Sequence, residues 1–222
     1  MRQSIRNLHP YVSLLLLLFL HVAAQGGDIR GQVHFASPAQ EEEISIPRYT
    51  TRPAPKMGMT ASHSVRAVVY IADAFPDSNF AIPRVNPILD QRNEQFVPYI
   101  LPVLVGSTVD FPNNDRVYHN VFSFSAAKTF DLGKYPTKTS KSVLFDRPGV
   151  VSVYCEIHSH MNAFILVLPN PYFCSIKEDG TFLIRAVPQG TFTLVVFAGR
   201  GLTTERKVTV PATGQVTLDI SL

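Results

Sequence analysis

The chain is short of most residue patterns on which chemistry is usually built. Its 20 lysines and arginines face 17 acidic residues, and no basic block stands out, which argues against nucleic acid as a partner. No long stretch repeats apolar residues every 3.6 positions, so no sizeable amphipathic helix is expected. Ser159, the serine nearest a histidine, has neither a base nor an orienting acid at a spacing that would activate it. Asp131, Asp146 and Glu156 form no paired-carboxylate pattern. No catalytic residue is therefore assigned, and the chain is not read as an enzyme. Cysteine is scarce as well, with two residues, Cys155 and Cys174.

What the chain does have is proline, glycine and β-branched residues in short alternating runs, which predicts an all-β protein. Residues 1–24 read as an export signal. Arg2 and Arg6 precede an apolar run from Val12, and Val22-Ala23-Ala24 offers small residues for cleavage before Gln25. The run is short for a membrane span. The expectation is an exported protein, periplasmic or extracellular, with no stable membrane insertion after cleavage. The residues 36–62 read as a long loop and 75–92 as an irregular crossover. A dense series of strands is expected at 96–105, 108–112, 117–125, 141–145, 149–156 and 162–168, with turns that suit an antiparallel sandwich. After Pro169-Asn170-Pro171, five further short strands are expected between Tyr172 and Ile220.

The residue types that carry chemistry gather in one place. Residues 154–161 read Tyr154-Cys155-Glu156-Ile157-His158-Ser159-His160-Met161, and His119 lies upstream in Tyr118-His119-Asn120-Val121. One thiolate, two imidazoles and a thioether are the donor set that suits copper cycling between Cu(I) and Cu(II). An extended chain advances about 3.3–3.6 Å per residue, so Cys155, His158 and Met161 reach one ion only if the chain turns back on itself.

The surrounding sequence resembles the cupredoxins, the blue copper proteins that include plastocyanin, pseudoazurin and amicyanin. Val105-Gly106-Ser107-Thr108-Val109-Asp110-Phe111-Pro112-Asn113-Asn114-Asp115 is similar to the family strand that precedes the first histidine ligand. His119-Asn120-Val121 and the run from Pro148-Gly149 to Tyr154-Cys155 match further family steps, and the Cys-x2-His-x2-Met loop has the amicyanin-like length. More narrowly, the stretch resembles exported cupredoxin-like methylamine-utilisation proteins. The resemblance implies a Greek-key β-sandwich and one type 1 copper per chain, held by His119, Cys155, His158 and Met161. It implies Asn120 as a residue that ties the two ligand-bearing loops by hydrogen bonds. It also implies one-electron transfer with a redox partner such as a c-type cytochrome or a periplasmic dehydrogenase. The chain departs from the family at Ile157, where relatives usually carry proline, and at His160, which precedes the methionine.

Competing assignments stand beside this one. Two cysteines in an exported protein ordinarily suggest a disulfide, Cys155–Cys174; if Cys155 is a ligand, Cys174 is a free thiol buried in a strand. Zinc could use Cys155, His119, His158 and His160, although Met161 is then unexplained. Met57, Met59 and His63 offer soft donors in the long loop. Copper handling by storage, delivery or sensing, and a cell-surface interaction module with a structural metal, are the rival functions. A multicopper enzyme such as an oxidase or nitrite reductase would need more than the seven histidines present, two of which are in the signal. Phe111, Phe122, Phe124, Phe145 and Phe164 are expected mostly in the core.

The strands beyond Pro171 are similar to the carboxypeptidase-regulatory or transthyretin-like sandwich. The expected division is 1–24 signal, 25–85 N-terminal β segment, 86–170 copper domain and 171–222 second sandwich. Gly31-Gln32-Val33 and Ala67-Val68-Val69-Tyr70-Ile71 are similar to that sandwich's opening strands, which would nest the copper domain inside it. A separate C-terminal sandwich is the other arrangement.

Overall fold

The computed structural model describes residues 26–35, 67–75 and 79–222. The expected signal and its cleavage site, most of the long loop, and the Met57, Met59 and His63 group lie outside the described residues. Every regular element among the described residues is a strand. Two come first, β1 (Gly26–His34) and β2 (Val68–Ile71). Nine follow: β3 (Asp90–Arg92), β4 (Gln95–Val97), β5 (Ile100–Leu104), β6 (Ser107–Pro112), β7 (His119–Ser125), β8 (Lys128–Tyr135), β9 (Ser140–Phe145), β10 (Gly149–Tyr154) and β11 (Asn162–Leu168). The last five are β12 (Phe173–Ser175), β13 (Thr181–Pro188), β14 (Gly190–Phe197), β15 (Thr203–Val210) and β16 (Gln215–Ser221).

Three of these differ from the sequence expectation. The run at 96–105 is two strands, because Pro98 has no N–H to continue a ladder. β3 pairs with β4 as a hairpin where an irregular segment was expected. β8 was not expected at all. It is an edge strand paired only with β7, and its residues alternate between exposed and half-buried, which leaves little apolar signal.

The sheets stack in layers. The five-stranded sheet β5-β11-β10-β7-β8 faces the β6-β9 and β3-β4 pairs across a core that contains Val109, Phe111, Val121, Phe145, Val153 and Ile165. The sheets β12-β2-β14-β15 and β13-β1-β16 enclose a second core around Ile29, Val69, Ile71, Leu194 and Val196. A third cluster, with Val68, Ile100, Leu166, Leu168 and Phe197, joins the two sandwiches. The joint depends on strands buried on both faces. Along β11, Ala163, Ile165 and Val167 point to the first core while Leu166 and Leu168 point to the junction. Such a strand reads as a continuous apolar run, as 163–168 does, instead of alternating. β1 lies between β13 and β16, and β2 between β12 and β14, so each pairs with chain that follows it by more than a hundred residues.

One face inverts the expectation for the aromatics. Phe111 and Phe145 are fully buried, but Phe124 is 79% exposed. In β7 the inward positions are taken by His119, Val121 and Ser123, so the strand's alternation turns Phe122 and Phe124 outward.

Candidate metal centre

The first part of the site is prepared by a buried polar loop. Asn113, fully buried, donates from Nδ2 to the carbonyls of Val117 (2.9 Å) and Tyr135 (3.1 Å). Its Oδ1 accepts the Asp115 N–H at 3.0 Å, an Asx turn that bends the chain ahead of β7. Below it, the Tyr135 hydroxyl donates to the Phe111 carbonyl (2.9 Å) and accepts from Gln91 Nε2 (2.6 Å). Burial pushes the Tyr135 phenol well above its ordinary value, so it stays neutral. These bonds set His119 at the start of β7 with no exposed surface.

Asp115 completes the setting. Its Oδ2 lies 2.9 Å from His119 Nε2. The carboxylate also accepts the N–H groups of Asn93 (3.1 Å) and Glu94 (2.6 Å) at the β3–β4 turn. Both turn residues have positive φ, 52° and 53°, the geometry of a two-residue hairpin. Burial by itself would raise the Asp115 carboxyl, but the hydrogen bonds from Glu94, His119 and Asn93 outweigh it and hold the group below its usual range. A neutral His119 that donates from Nε2 to this carboxylate keeps its Nδ1 lone pair for another partner.

The second part is the loop after β10. Met161 N–H bonds the His158 carbonyl at 3.0 Å, and Cys155 N–H bonds the Met161 carbonyl at 3.3 Å, so the loop does turn back on itself. Cys155 and Met161 are buried, and His158 is half-buried. Cys155 Sγ stands 3.8 Å from His119 Nδ1 and 4.0 Å from His158 Nδ1, and the two Nδ1 atoms are 3.1 Å apart. The three donor atoms lie within 4.8 Å of one another, and among the described residues this is the one such group of His, Cys, Asp and Glu. The spacing can be tested against a metal. Bonds of about 2.0 Å to nitrogen and about 2.3 Å to sulfur at trigonal angles separate N from S by about 3.7 Å. The two sulfur–nitrogen distances are close to that value, and the nitrogens, at 3.1 Å, stand nearer than the about 3.5 Å of a regular trigonal arrangement.

Of the four residues expected at the metal, the structure brings the donor atoms of three together and buries Met161 in the same core cluster as Cys155. His160 goes elsewhere. It is exposed, and its Nε2 lies 3.7 Å from Glu94 Oε2. The cysteines are both free, and Cys174 is half-buried in β12. The expected hydrogen-bonding role of Asn120 is not met by its Oδ1, which is buried without a partner beside the register shift in the β7–β8 ladder. Hydrogen bonding around the first histidine falls instead to Asp115 and Asn113. In the sequence both residues stand out only as part of the strand-like run that leads to His119. The signal available was the i, i+4 spacing of Asp115 and His119 behind a turn-forming Asn-Asn-Asp run.

No family model and no curated protein matches the chain. Solved structures similar to part of it include a purple cupredoxin from Nitrosopumilus maritimus, at 23% identity and a TM-score of 0.34, covering 37% of this chain and 99% of that one. A copper-containing nitrite reductase from Thermus scotoductus is similar at 22% identity and a TM-score of 0.37, over 43% of this chain and 25% of that one. A reduced amicyanin variant is similar at 19% identity and a TM-score of 0.36, over 46% of this chain and 98% of that one.

Proposed function

We propose that this chain is an exported copper protein that carries one electron at a time. The observation that supports the reading best is the mutual approach of His119 Nδ1, His158 Nδ1 and Cys155 Sγ at 3.1–4.0 Å. These three residues would hold the metal strongly, and Met161, buried in the same cluster as Cys155, would add a weaker thioether donor. Bound there, copper would supply a Cu(I)/Cu(II) couple whose geometry suits both states.

The protein's own residues account for the rest. Asp115 orients His119 and favours the tautomer with a free Nδ1. Phe111, Tyr135, Val121 and Val153 lie in the core cluster shared with Cys155 and Met161, which keeps water from that side. His158 is half-buried, at the surface side of the pair. Val117 (40% exposed), Tyr118 (58%) and Ile157 (42%) offer apolar surface on the two loops that carry the histidines. Short-lived redox encounters use small interfaces, and a c-type cytochrome or a periplasmic dehydrogenase is the partner class we propose.

The purified chain should take up one copper, show an intense visible thiolate-to-copper band, and give a reversible voltammetric wave. It should exchange electrons quickly with a small c-type cytochrome and release copper slowly to a chelator. Rapid copper loss without a reversible wave would replace electron transfer with copper handling. N-terminal mass analysis of exported protein checks cleavage after Ala24.

A further inference from the structure

The turn between β14 and β15 reaches from one sandwich to the other. Gly199, Arg200 and Gly201 all have positive φ, at 82°, 45° and 78°. The turn is closed by Ala198 N–H on the Leu202 carbonyl (2.9 Å) and Leu202 N–H on the Gly199 carbonyl (2.8 Å). Glycine is needed at 199, because a Cβ there would lie 2.9 Å from the Phe164 ring and 3.2 Å from that of Tyr99. Arginine between the two glycines is a different matter. A non-glycine residue at positive φ is uncommon, and Arg200 makes no hydrogen bond or ion pair among the described residues.

Arg200 borders a cavity of about 260 Å³. Asn162 and Phe164 line it from β11, Ser152 and Tyr154 from β10, and Ser159 from the metal-site loop. Arg200 is the one charged side chain in this lining. From Tyr154 the same sheet face continues into aromatic surface. The Tyr154 and Phe122 rings are 5.9 Å apart and the Phe122 and Phe124 rings 5.3 Å apart. Phe124 on this face is 79% exposed while Ser123 beside it is fully buried. Those rings lie beside the cavity, and within its own lining Tyr154 and Phe164 offer an aromatic wall to a ligand.

We infer that this cavity binds a small aromatic carboxylate. The Arg200 guanidinium pairs with the carboxylate through its planar fork. The ligand ring packs against Tyr154 and Phe164, and Ser152, Ser159 and Asn162 supply hydroxyl and amide groups for ring substituents. Pockets for drug-sized ligands run from about 300 to 1,000 Å³, so the occupant is of benzoate size. The second sandwich thereby contributes the charged group of a site whose other walls belong to the first.

The test uses the full chain without metal, so its outcome does not depend on copper binding. 4-Hydroxybenzoate is titrated by calorimetry and ligand-observed NMR, beside acetate, inorganic phosphate and benzyl alcohol. The expected result is saturable binding of one 4-hydroxybenzoate per chain, at least about tenfold tighter than any of the other three. Arg200→Gln should weaken it about tenfold or more, the effect of losing one charge-assisted pair. Ser152→Leu, which fills the cavity and leaves Arg200 in place, should do the same. The inference is overturned by absence of saturable binding, by acetate or phosphate binding as tightly, or by undiminished binding in both variants.

Discussion

His119 uses its two ring nitrogens in two directions: Nε2 meets Asp115 Oδ2 at 2.9 Å, and Nδ1 faces Cys155 Sγ at 3.8 Å. The carboxylate that fixes the ring is itself fixed by two N–H groups from the β3–β4 turn. A hairpin remote in sequence thus governs the orientation of the most buried donor. Asp115→Asn should preserve the fold and weaken copper binding by about 10–100-fold, the usual effect of losing such an outer hydrogen bond. A competition titration against a chelator measures it.

The two loop histidines separate cleanly. His158 stands at the donor triangle, and His160 faces Glu94 from an exposed position. His158→Ala should abolish the visible charge-transfer band of the copper-loaded protein, while His160→Ala leaves it nearly unchanged. A band lost only in the His160 variant would move the ligand to that residue.

The aromatic residues differ by burial, not by type. Phe145→Ala, in a fully buried site, should destabilise the protein by about 3–5 kcal/mol. Phe124→Ala, at a 79% exposed position, should change stability by no more than about 0.5 kcal/mol. Urea denaturation of the two variants checks both figures.

Burial pushes the Cys174 thiol above its ordinary value, only partly offset by a backbone hydrogen bond from Leu183. Its contribution to stability is therefore fully present below the unfolded value of about 8.5 and is lost as pH rises through the higher folded value. Alkylation of Cys174 by iodoacetamide, followed by peptide mass analysis, should be slow at neutral pH and accelerate only in alkali. Rapid labelling at pH 7 would contradict this.

Residues 171–222 alone should not fold cooperatively. Without β1, the strands β13 and β16 lose their shared neighbour, and without β2 the strands β12 and β14 lose theirs. Circular dichroism of that segment during heating should show no sharp transition. A cooperative monomeric unfolding curve would show that the segment is self-sufficient.

Most of the strands could be read in the sequence, because alternation and turn residues are local signals. Short apolar runs bounded by Arg147-Pro148-Gly149 or Glu178-Asp179-Gly180 leave few other conformations. The edge strand β8 escaped for the same reason in reverse: one face is exposed and the other only half-buried, with Phe130 and Leu132 as its few apolar inward positions.

The sequence by itself determined which candidate donors lie close together, since Cys155, His158 and Met161 share one loop and a short loop cannot scatter them far. Its spacing, three residues from Cys155 and three from Met161, favours His158 over His160, but spacing does not choose where the loop points either ring. That choice belongs to tertiary structure, through the Met161 N–H bond to the His158 carbonyl and the position of Glu94 beside His160. Tertiary structure also decided that Asp115 reaches His119, that Phe124 faces outward, and that Arg200 borders a cavity beside the metal-site loop. Each depends on strands distant in the chain being packed face to face, and no local pattern encodes which faces meet.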